Sequence, residues 1–477
     1  MSSHVTATQE AQLAALVAVY PLADDLGARF AEHGHELYLV GGTVRDTLLR
    51  GPGAQDLDFA TSALPERTEA ILRPVADAVW LTGARFGTVS ARVGEATVEI
   101  TTFRSDTYAA GSRHPTVSYG ETIEEDLARR DFTMNAMAVR VPAHRFVDPF
   151  GGLADLRDTI LRTPIEPEVS FEDDPLRMVR LARFVAALDA HADEGTLRAA
   201  TRMSARIGEV SAERVRDELD KLLVGVAAAR GIDVLVSTGL ADHILPEVPA
   251  LRMERDPAHH HKDVYAHTLA VLSGCRQDDP ILRMAALLHD IGKPATRQFH
   301  PGGKVSFHHH DVVGARMARE RLHALRYPKA TIEAVAHLVA LHLRFHGYAE
   351  GEWTDAAVRR YVRDAGNGEG LRRLNELTRA DVTTANRRKA RRFQAAMDDL
   401  EARIERLRAE EELAAIRPPL DGNEIMELLG VAPGPVVGAA RQMLLDARLE
   451  RGPLAHAEAV ALLRAWARTQ GLNPPEV

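Results

Sequence analysis

The stretch "YLVGGTVRDTLLRGPGAQDLDFAT", Tyr38–Thr61, decides how this chain is read. An apolar run leads into a glycine pair, Gly41 and Gly42. A helical segment carrying Arg45 follows, and then Asp56 and Asp58, two residues apart. Glycines between a strand and a helix let backbone N–H groups approach an anion at a helix N-terminus, where the dipole favours negative charge. On a strand, residues two apart share a face, so the spacing predicts that Asp56 and Asp58 point the same way. Neighbouring carboxylates repel unless a cation sits between them. Mg²⁺ suits such a pair, because it takes one or two carboxylates together with phosphate oxygens. Two such ions clamp the attacking and leaving oxygens of an in-line phosphoryl transfer. The glycine spacing is neither G-x-G-x-x-G nor Walker A, which sets aside the Rossmann and P-loop readings. A phosphate-accepting turn followed by two metal carboxylates is what a nucleotidyltransferase requires. A third carboxylate would complete the site; Glu99 in "VEITTFR" is the candidate, with a purely structural strand glutamate as the other reading.

Around this stretch, short β-like runs recur: "LYLVGG", "DLDFAT", "FGTVSARV", "ATVEITTF" and "AMAVRV". They predict a mixed α/β unit over residues 36–152, preceded by a helix over 1–35. After "DPFGG" the spacing turns helical and strand signals become scarce. The expected division is a helical neck over 153–252, a histidine-rich helical domain over 253–395, and a helical body and tail over 396–477. A long charged helix is expected over about 386–416, followed by the Pro- and Gly-punctuated "RPPLDGNEIMELLGVAPGPVVGAA", which has a helix-turn-helix look. The fold class expected is therefore an α+β head with a mixed sheet, followed by an all-α neck, histidine-rich domain and tail.

The bulk numbers set limits. At 477 residues the chain has room for about three domains, and 45% apolar with 27% charged residues is ordinary for a globular protein. No apolar run reaches the ~18 residues of a membrane span, so no membrane partner is expected. "MSSHVTATQE" lacks the parts of a signal peptide, and the single cysteine, Cys275, excludes an intrachain disulfide; a reducing cytoplasm is the expectation. The net charge of −9 does not advertise a nucleic-acid binder, but a local basic stripe can still dock phosphates. Such a run lies at Arg372, Arg373, Arg379, Arg387, Arg388, Lys389, Arg391 and Arg392. It is read here as an RNA-backbone contact, with a solvated helix face as the other reading.

Two more segments carry charge in useful places. In "RRDFTMNA", Arg129 and Arg130 would lie near the triphosphate, and Asp131 would accept from a ribose hydroxyl, with a surface salt bridge as the other reading of each. In "EDDPLRMVRLARF", Pro175 places Asp173 and Asp174 at a helix start. Arg177, Arg180 and Arg183 then form a stripe expected to bind nucleotide by hydrogen bonds to the edge of a base, with a solvated face as the other reading, and Leu176, Val179, Leu181 and Phe184 face the core. Arg214 and Glu218 in "SAERVRDELDKLL" are spaced as an i,i+4 structural pair.

These segments, "LVGGTVRD…DLDFAT", "EEDLARRDFTMNAMA", "DPFGGLADL" and "FEDDPLRMVRLARF", resemble in order the motifs of class II CCA-adding tRNA nucleotidyltransferases, which have a polymerase β-type head. The resemblance is clear over about residues 36–225. It implies Mg²⁺ at Asp56 and Asp58, and a triphosphate held by Gly41, Gly42, Arg45 and Arg130. It implies base choice between CTP and ATP by Asp174 and Arg177, and a tRNA acceptor arm as the RNA partner. It also implies that the segment after Phe103, with Arg104, Tyr108, Arg113 and His114, is the loop that assists the change from C to A.

Histidines make a second constellation: His267, His289-Asp290 in "ALLHDIGK", His310, His342 and, further on, Asp381. Imidazoles suit transition metals and carboxylates complete such sites. The set resembles the HD superfamily of metal-dependent phosphohydrolases. The resemblance implies a divalent metal on His267, His289, Asp290 and Asp381, with His310 and His342 as possible further ligands, acting on terminal or cyclic phosphates of tRNA ends; a degenerate HD domain that only supports tRNA is the other reading. The rival readings are a poly(A) polymerase, an HD phosphohydrolase with a nucleotide-sensing head, and a non-catalytic tRNA chaperone.

Overall fold

The computed structural model describes residues 20–51, 56–83, 87–104, 119–253, 263–301, 304–345, 348, 353–366, 368–382, 387–411, 419–472 and 475. They form two compact units, Met1–Pro246 and Glu247–Val477.

The first unit is built on a seven-stranded sheet in the order β3-β4-β5-β2-β1-β6-β7. The strands are β1 (Leu37–Val40), β2 (Asp56–Thr61), β3 (Ala78–Trp80), β4 (Thr88–Val93), β5 (Ala96–Thr102), β6 (Ala138–Val141) and β7 (Arg145–Val147). All five runs expected as strands are present. The two edge strands, β3 and β7, were not expected. At three residues each they are too short to show alternation, and they form by pairing with β4 and β6. Within this sheet, among the described residues, only β2 and β5 run parallel, and their register sets Asp58 beside Glu99 and Asp56 beside Thr97.

The face that carries Asp58 continues through Ala60 and Tyr38 into a core with Phe103, Ile123, Leu127, Ala136 and Ala138. The helix Ile123–Ala128 therefore lies over the same face as the aspartates, with its start capped by Thr122. The turn at "DPFGG" is forced by crowding: a Cβ on Gly152 would lie 2.1 Å from the carbonyl oxygen of Thr133. Asp148 holds that turn by accepting from Gly152 N at 2.7 Å and Leu153 N at 3.0 Å.

The neck follows as helices Pro167–Asp173, Leu176–Leu188, Glu194–Met203, Ala212–Leu223 and Ala228–Ser237. Leu176, Val179, Leu181 and Phe184 are buried, as their spacing predicts. A two-residue parallel pair, β8 (Ile160–Leu161) with β9 (His191–Ala192), accompanies them.

The second unit is helical apart from a hairpin, β10 (Gln298–His300) with β11 (Lys304–Ser306). Its central helices are Val264–Gly274, Pro280–Leu288, His310–Ala324, Lys329–Leu341 and Gly368–Asp381. The long charged helix runs Arg387–Glu411, and residues 412–418 lie outside the described set. At the end of the chain, helices Gly422–Leu429, Pro435–Arg451 and His456–Thr469 close on Leu420, Ile425, Leu429, Leu444 and Leu463. Asp421 and Glu424 form a capping box, and Gly430 at φ +68° ends the first of these helices. Among the described residues no helix is long and apolar enough to cross a membrane.

Candidate active site and metal centre

In the first unit, β2 presents Asp56 and Asp58, and the parallel register adds Glu99 from β5 on the same face. Burial pushes the Asp58 carboxyl above its usual range. The Arg130 guanidinium opposes that shift, while Glu99 and Asp56 reinforce it. Three carboxylates together, one of them reluctant to ionise, make a donor set of hard oxygens that fits a divalent cation.

Gly41 and Gly42 open the helix Gly41–Arg50 directly after β1. Gly41 has φ +67°, and a Cβ there would sit 2.8 Å from Arg130 Nη1 and 4.0 Å from Asp58 Oδ2. Only glycine suits both the conformation and the closeness. The helix N-terminus, Arg130 and Asp58 thus meet at one point.

Arg130 is aimed by a residue the sequence reading did not single out. Asp126, fully buried, accepts from Arg130 Nη2 at 3.0 Å and Nε at 3.3 Å, and is also paired with Arg129. Burial would raise its pKa, but the two guanidiniums outweigh it and hold the carboxyl below the usual range. The signal was available: Asp126 precedes Arg129 and Arg130 by three and four residues, the helical contact spacing.

Arg45 is turned inward. It forks onto Asp46 at 2.9 and 2.7 Å, donates to Asn135 Oδ1 at 2.5 Å, and lies 5.1 Å from the Phe184 ring centre. Asp131 is also bonded inward. One oxygen accepts from Phe132 N and Asn135 Nδ2, both at 2.9 Å, and the other from Arg180 Nε at 2.9 Å. Burial works against its ionisation, but Arg180 and Asn135 prevail and its pKa is lowered to about 2.

The stripe Arg177, Arg180, Arg183 stands on the helix Leu176–Leu188, but its members face different partners. Arg180 and Arg183 both reach buried Glu218, at 3.4 and 3.2 Å, and flank the Phe184 ring. Arg177 donates to Ser170 Oγ at 2.8 Å and its carbonyl at 3.1 Å, and to the carbonyl of Arg129. Asp174 links two helices: its Oδ1 accepts from Leu176 N at 3.1 Å and its Oδ2 from Arg214 Nη2 at 2.7 Å. This corrects the expected Arg214–Glu218 pair. Glu218 turns inward to the stripe while Arg214 reaches across to Asp174, because burial of Glu218 demands cations that the core side of the helix provides.

Of the loop after Phe103, Arg104 is described and bridges to Tyr119. Tyr108, Arg113 and His114 lie outside the described residues. Arg388, Lys389, Arg391 and Arg392 stand exposed on the first turns of the helix Arg387–Glu411; the side chain of Arg387 is outside the described set.

In the second unit, His267, His289, Asp290, His310, His342 and Asp381 converge. His267 Nε2 lies 2.9 Å from Asp381 Oδ1, 3.6 Å from Asp290 Oδ2 and 3.3 Å from His289 Nε2. His289 Nε2 lies 3.2 Å from Asp290 Oδ2. On the other oxygen of Asp290, His310 Nε2 is at 3.3 Å and His342 Nε2 at 3.8 Å. Asp290 therefore divides the set in two: His267, His289 and Asp290 on one side, Asp290, His310 and His342 on the other, each compact enough for one ion.

The tautomers fit metal binding. Nδ1 of His289, His310 and His342 is held by the carbonyls of Ala286, Phe307 and Val339 at 2.8, 2.7 and 2.7 Å. That leaves Nε2 for a ligand. Nε2 of His310 and of His342 is buried without a hydrogen bond. Burial and neighbouring His289 lower the His342 pKa to about 4, so it is neutral at pH 7. Around Asp381, burial is outweighed by the His267 bond and by His289 and His342, which hold its carboxyl well below the usual range. Lys293, not singled out from sequence, donates to Asp290 Oδ2 at 2.5 Å.

Comparison with known proteins finds three family matches along the chain. The family described as "Poly A polymerase head domain" matches residues 37–162. "Probable RNA and SrmB- binding site of polymerase A" matches 191–251, and "HD domain" matches 260–404. An A-adding tRNA nucleotidyltransferase of Deinococcus radiodurans is 35% identical over 444 residues, covering 90% of this chain and 95% of that protein. A CCA-adding enzyme of Geobacillus stearothermophilus is 40% identical over 223 residues, which is 46% of this chain and 54% of that enzyme. Among solved structures, the Bacillus stearothermophilus CCA-adding enzyme in complex with CTP superposes with TM-score 0.70 at 26% identity, over 95% of this chain and 98% of that one. The Thermotoga maritima CCA-adding enzyme complexed with tRNA shares the fold, with TM-score 0.60 at 19% identity over 96% and 98% of the chains.

Proposed function

The chain belongs to the family of tRNA nucleotidyltransferases that comprises the CCA-adding and A-adding enzymes, and from that premise we propose that it adds CCA to the 3′ end of tRNA without a nucleic-acid template, using CTP and ATP. The observation that carries this reading is the parallel register that sets Asp58 and Glu99 side by side beneath Gly41 and Arg130. Asp56, Asp58 and Glu99 would hold Mg²⁺, which supplies charge neutralisation at the α-phosphate and activates the attacking hydroxyl. The tRNA 3′-oxygen attacks the α-phosphorus, the α–β phosphoanhydride bond breaks, and pyrophosphate leaves. Gly41, Gly42 and Arg130 cradle the triphosphate, and Asp126 keeps Arg130 in place. Arg45 supports this wall through Asn135 and Phe184 rather than by a free guanidinium.

Asp174 and Arg177 give a physical basis for base choice. Cytosine and adenine both present an exocyclic amine beside a ring-nitrogen acceptor; a carboxylate accepts from the first and a guanidinium donates to the second. Uracil and guanine present the reverse order and would face a carboxylate with an oxygen. Arg180, Arg183 and Asp131 position that helix. Arg388, Lys389, Arg391 and Arg392 would meet RNA phosphates without reading sequence, as suits an enzyme serving every acceptor arm.

We read the HD cluster as a phosphoester-hydrolysing site for tRNA ends, in which His267, His289, Asp290 and Asp381 would hold one divalent ion and Asp290, His310 and His342 would hold a second. Metal there would supply an activated water.

A second reading, addition of A alone, is favoured by one observation: the relative aligned over 90% of this chain is an A-adding enzyme. The test of the catalytic assignment is Asp58→Ala. Nucleotide addition should be lost while tRNA retardation on a native gel is kept; near-normal turnover would refute it.

A further inference from the structure

The two limbs of the chain that hold Asp290 and His310 meet at the metal cluster. A Cβ on Gly292 would lie 2.2 Å from the carbonyl oxygen of His310. Lys293 reaches Asp290 at 2.5 Å and also lies 5.8 Å from the Phe307 ring centre. Between these limbs the chain makes the hairpin β10–β11. All three residues of β10 are exposed, and Phe299 is 50% exposed. The Arg297 guanidinium lies 4.9 Å from the Phe299 ring centre, and His300 is fixed by a 2.7 Å bond to Ser306 Oγ.

The segment is also one-signed. From Ile291 to His310 there is no acidic residue, although the whole chain carries −9. An exposed aromatic ring with an arginine over it, on a wholly cationic lip, is the chemistry of a base-stacking platform rather than of a small-molecule pocket.

A second cationic element is fastened to the opposite ligands. Arg379, two residues before Asp381, bonds Gln394 Oε1 at 2.9 Å and Asp398 Oδ1 at 2.7 Å. Phe393 lies 4.9 Å from Phe345, which is three residues past His342. These contacts seat the helix that begins with Arg388, Lys389, Arg391 and Arg392 beside the cluster.

We infer that the HD site takes the end of a polynucleotide, its terminal base stacked on Phe299 beside Arg297 and its preceding phosphates on the start of the helix Arg387–Glu411. The inference deepens the phosphohydrolase reading and rests on it for the nature of the scissile group.

Two measurements test it. The metal-loaded protein and its Phe299→Ala variant are compared on a short RNA ending in a 2′,3′-cyclic phosphate and on p-nitrophenyl phosphate, which has no base. KM for the RNA should rise roughly five- to a hundred-fold, the range of a lost base–aromatic stack. The aryl phosphate should be unaffected, and Phe299→Trp should restore RNA affinity. Equal losses on both substrates, or no loss on either, overturn the inference.

Independently of hydrolysis, the metal-free protein is photocrosslinked to a short RNA bearing a 3′-terminal 4-thiouridine. The crosslink should map to the peptide containing Phe299. Crosslinks confined to the first unit or to the last three helices overturn the platform. If no substrate is hydrolysed under any divalent metal but the crosslink still maps to Phe299, the phosphohydrolase reading fails and the end-binding site stands.

Discussion

Arg214, on a helix of the neck, donates to Asp174 Oδ2 at 2.7 Å, and so fixes one oxygen of the carboxylate that the base-reading pair depends on. The side chain of Arg214 is 53% exposed. An ion pair that open contributes at most about 1 kcal/mol to folding. Its effect should therefore appear in selectivity and not in stability. Arg214→Ala is expected to leave the melting temperature within a few degrees of wild type. It should raise misincorporation of UMP and GMP by roughly an order of magnitude, read by primer-extension sequencing of tRNA products.

Asp126 presents the opposite balance. It is fully buried and pairs with both Arg129 and Arg130. Removing one member of a buried ionic set costs about 3–5 kcal/mol, because the remaining charges lose their partner. Asp126→Asn should lower the unfolding free energy of the first unit by that order. In whatever fraction folds, it should raise KM for CTP and ATP alike, since Arg130 loses its anchor. Thermal melts and initial-rate kinetics check both. A change in the C-to-A ratio without a change in KM would contradict the anchoring role.

The Asp131–Arg180 pair makes stability depend on acid. Asp131 titrates at about 2 in the fold against an ordinary value of 3.8. A depressed carboxyl contributes stability above its unfolded pKa and loses it as pH falls through the folded one. The difference corresponds to about 2 kcal/mol, present at neutral pH and lost between roughly pH 4 and pH 2. Wild type and Asp131→Asn, compared by urea denaturation, should differ most at pH 6, and the gap should close as pH falls towards 2. A gap that is constant with pH would contradict the assignment.

Division of the HD cluster by Asp290 predicts stoichiometry. Wild-type protein loaded with a first-row transition metal should hold two equivalents in this cluster by elemental analysis. His267→Ala and His310→Ala should each retain one, and Asp290→Asn should retain neither firmly. His289 matters for pH. Burial would lower its pKa, but Asp290 and Asp381 outweigh that and raise it. In the metal-free site the carboxylates thus favour the protonated imidazole, with which an ion competes, so metal affinity should fall as pH is lowered, with proton release on binding seen by calorimetry in buffers of different ionisation enthalpy.

Features with short-range spacing were legible in the sequence. Asp56 and Asp58 announced a shared face, and Leu176, Val179, Leu181 and Phe184 announced a buried helix side. The parts that were not legible depend on pairing across long sequence distances. Nothing local to Glu99 shows that β5 runs parallel to β2 and sets it beside Asp58. Arg214 and Asp174 are 40 residues apart. A spacing of four made Arg214 and Glu218 look like partners, but Glu218 is buried and takes Arg180 and Arg183 instead. The two-sided HD cluster was hidden for the same reason. Its ligands come from five helices and their ends, and only folding shows which Nε2 atoms share an oxygen of Asp290.

CCA addition is decided by incubating the purified protein with Mg²⁺, CTP and ATP and two tRNA substrates, one lacking the whole 3′ end and one ending in CC, and reading the products on a sequencing gel. The first should grow by two C residues and one A, the second by a single A, and both should then stop. Growth of the CC-ended tRNA alone would establish the A-adding reading. A long A tail, or no growth of either substrate, would refute CCA addition.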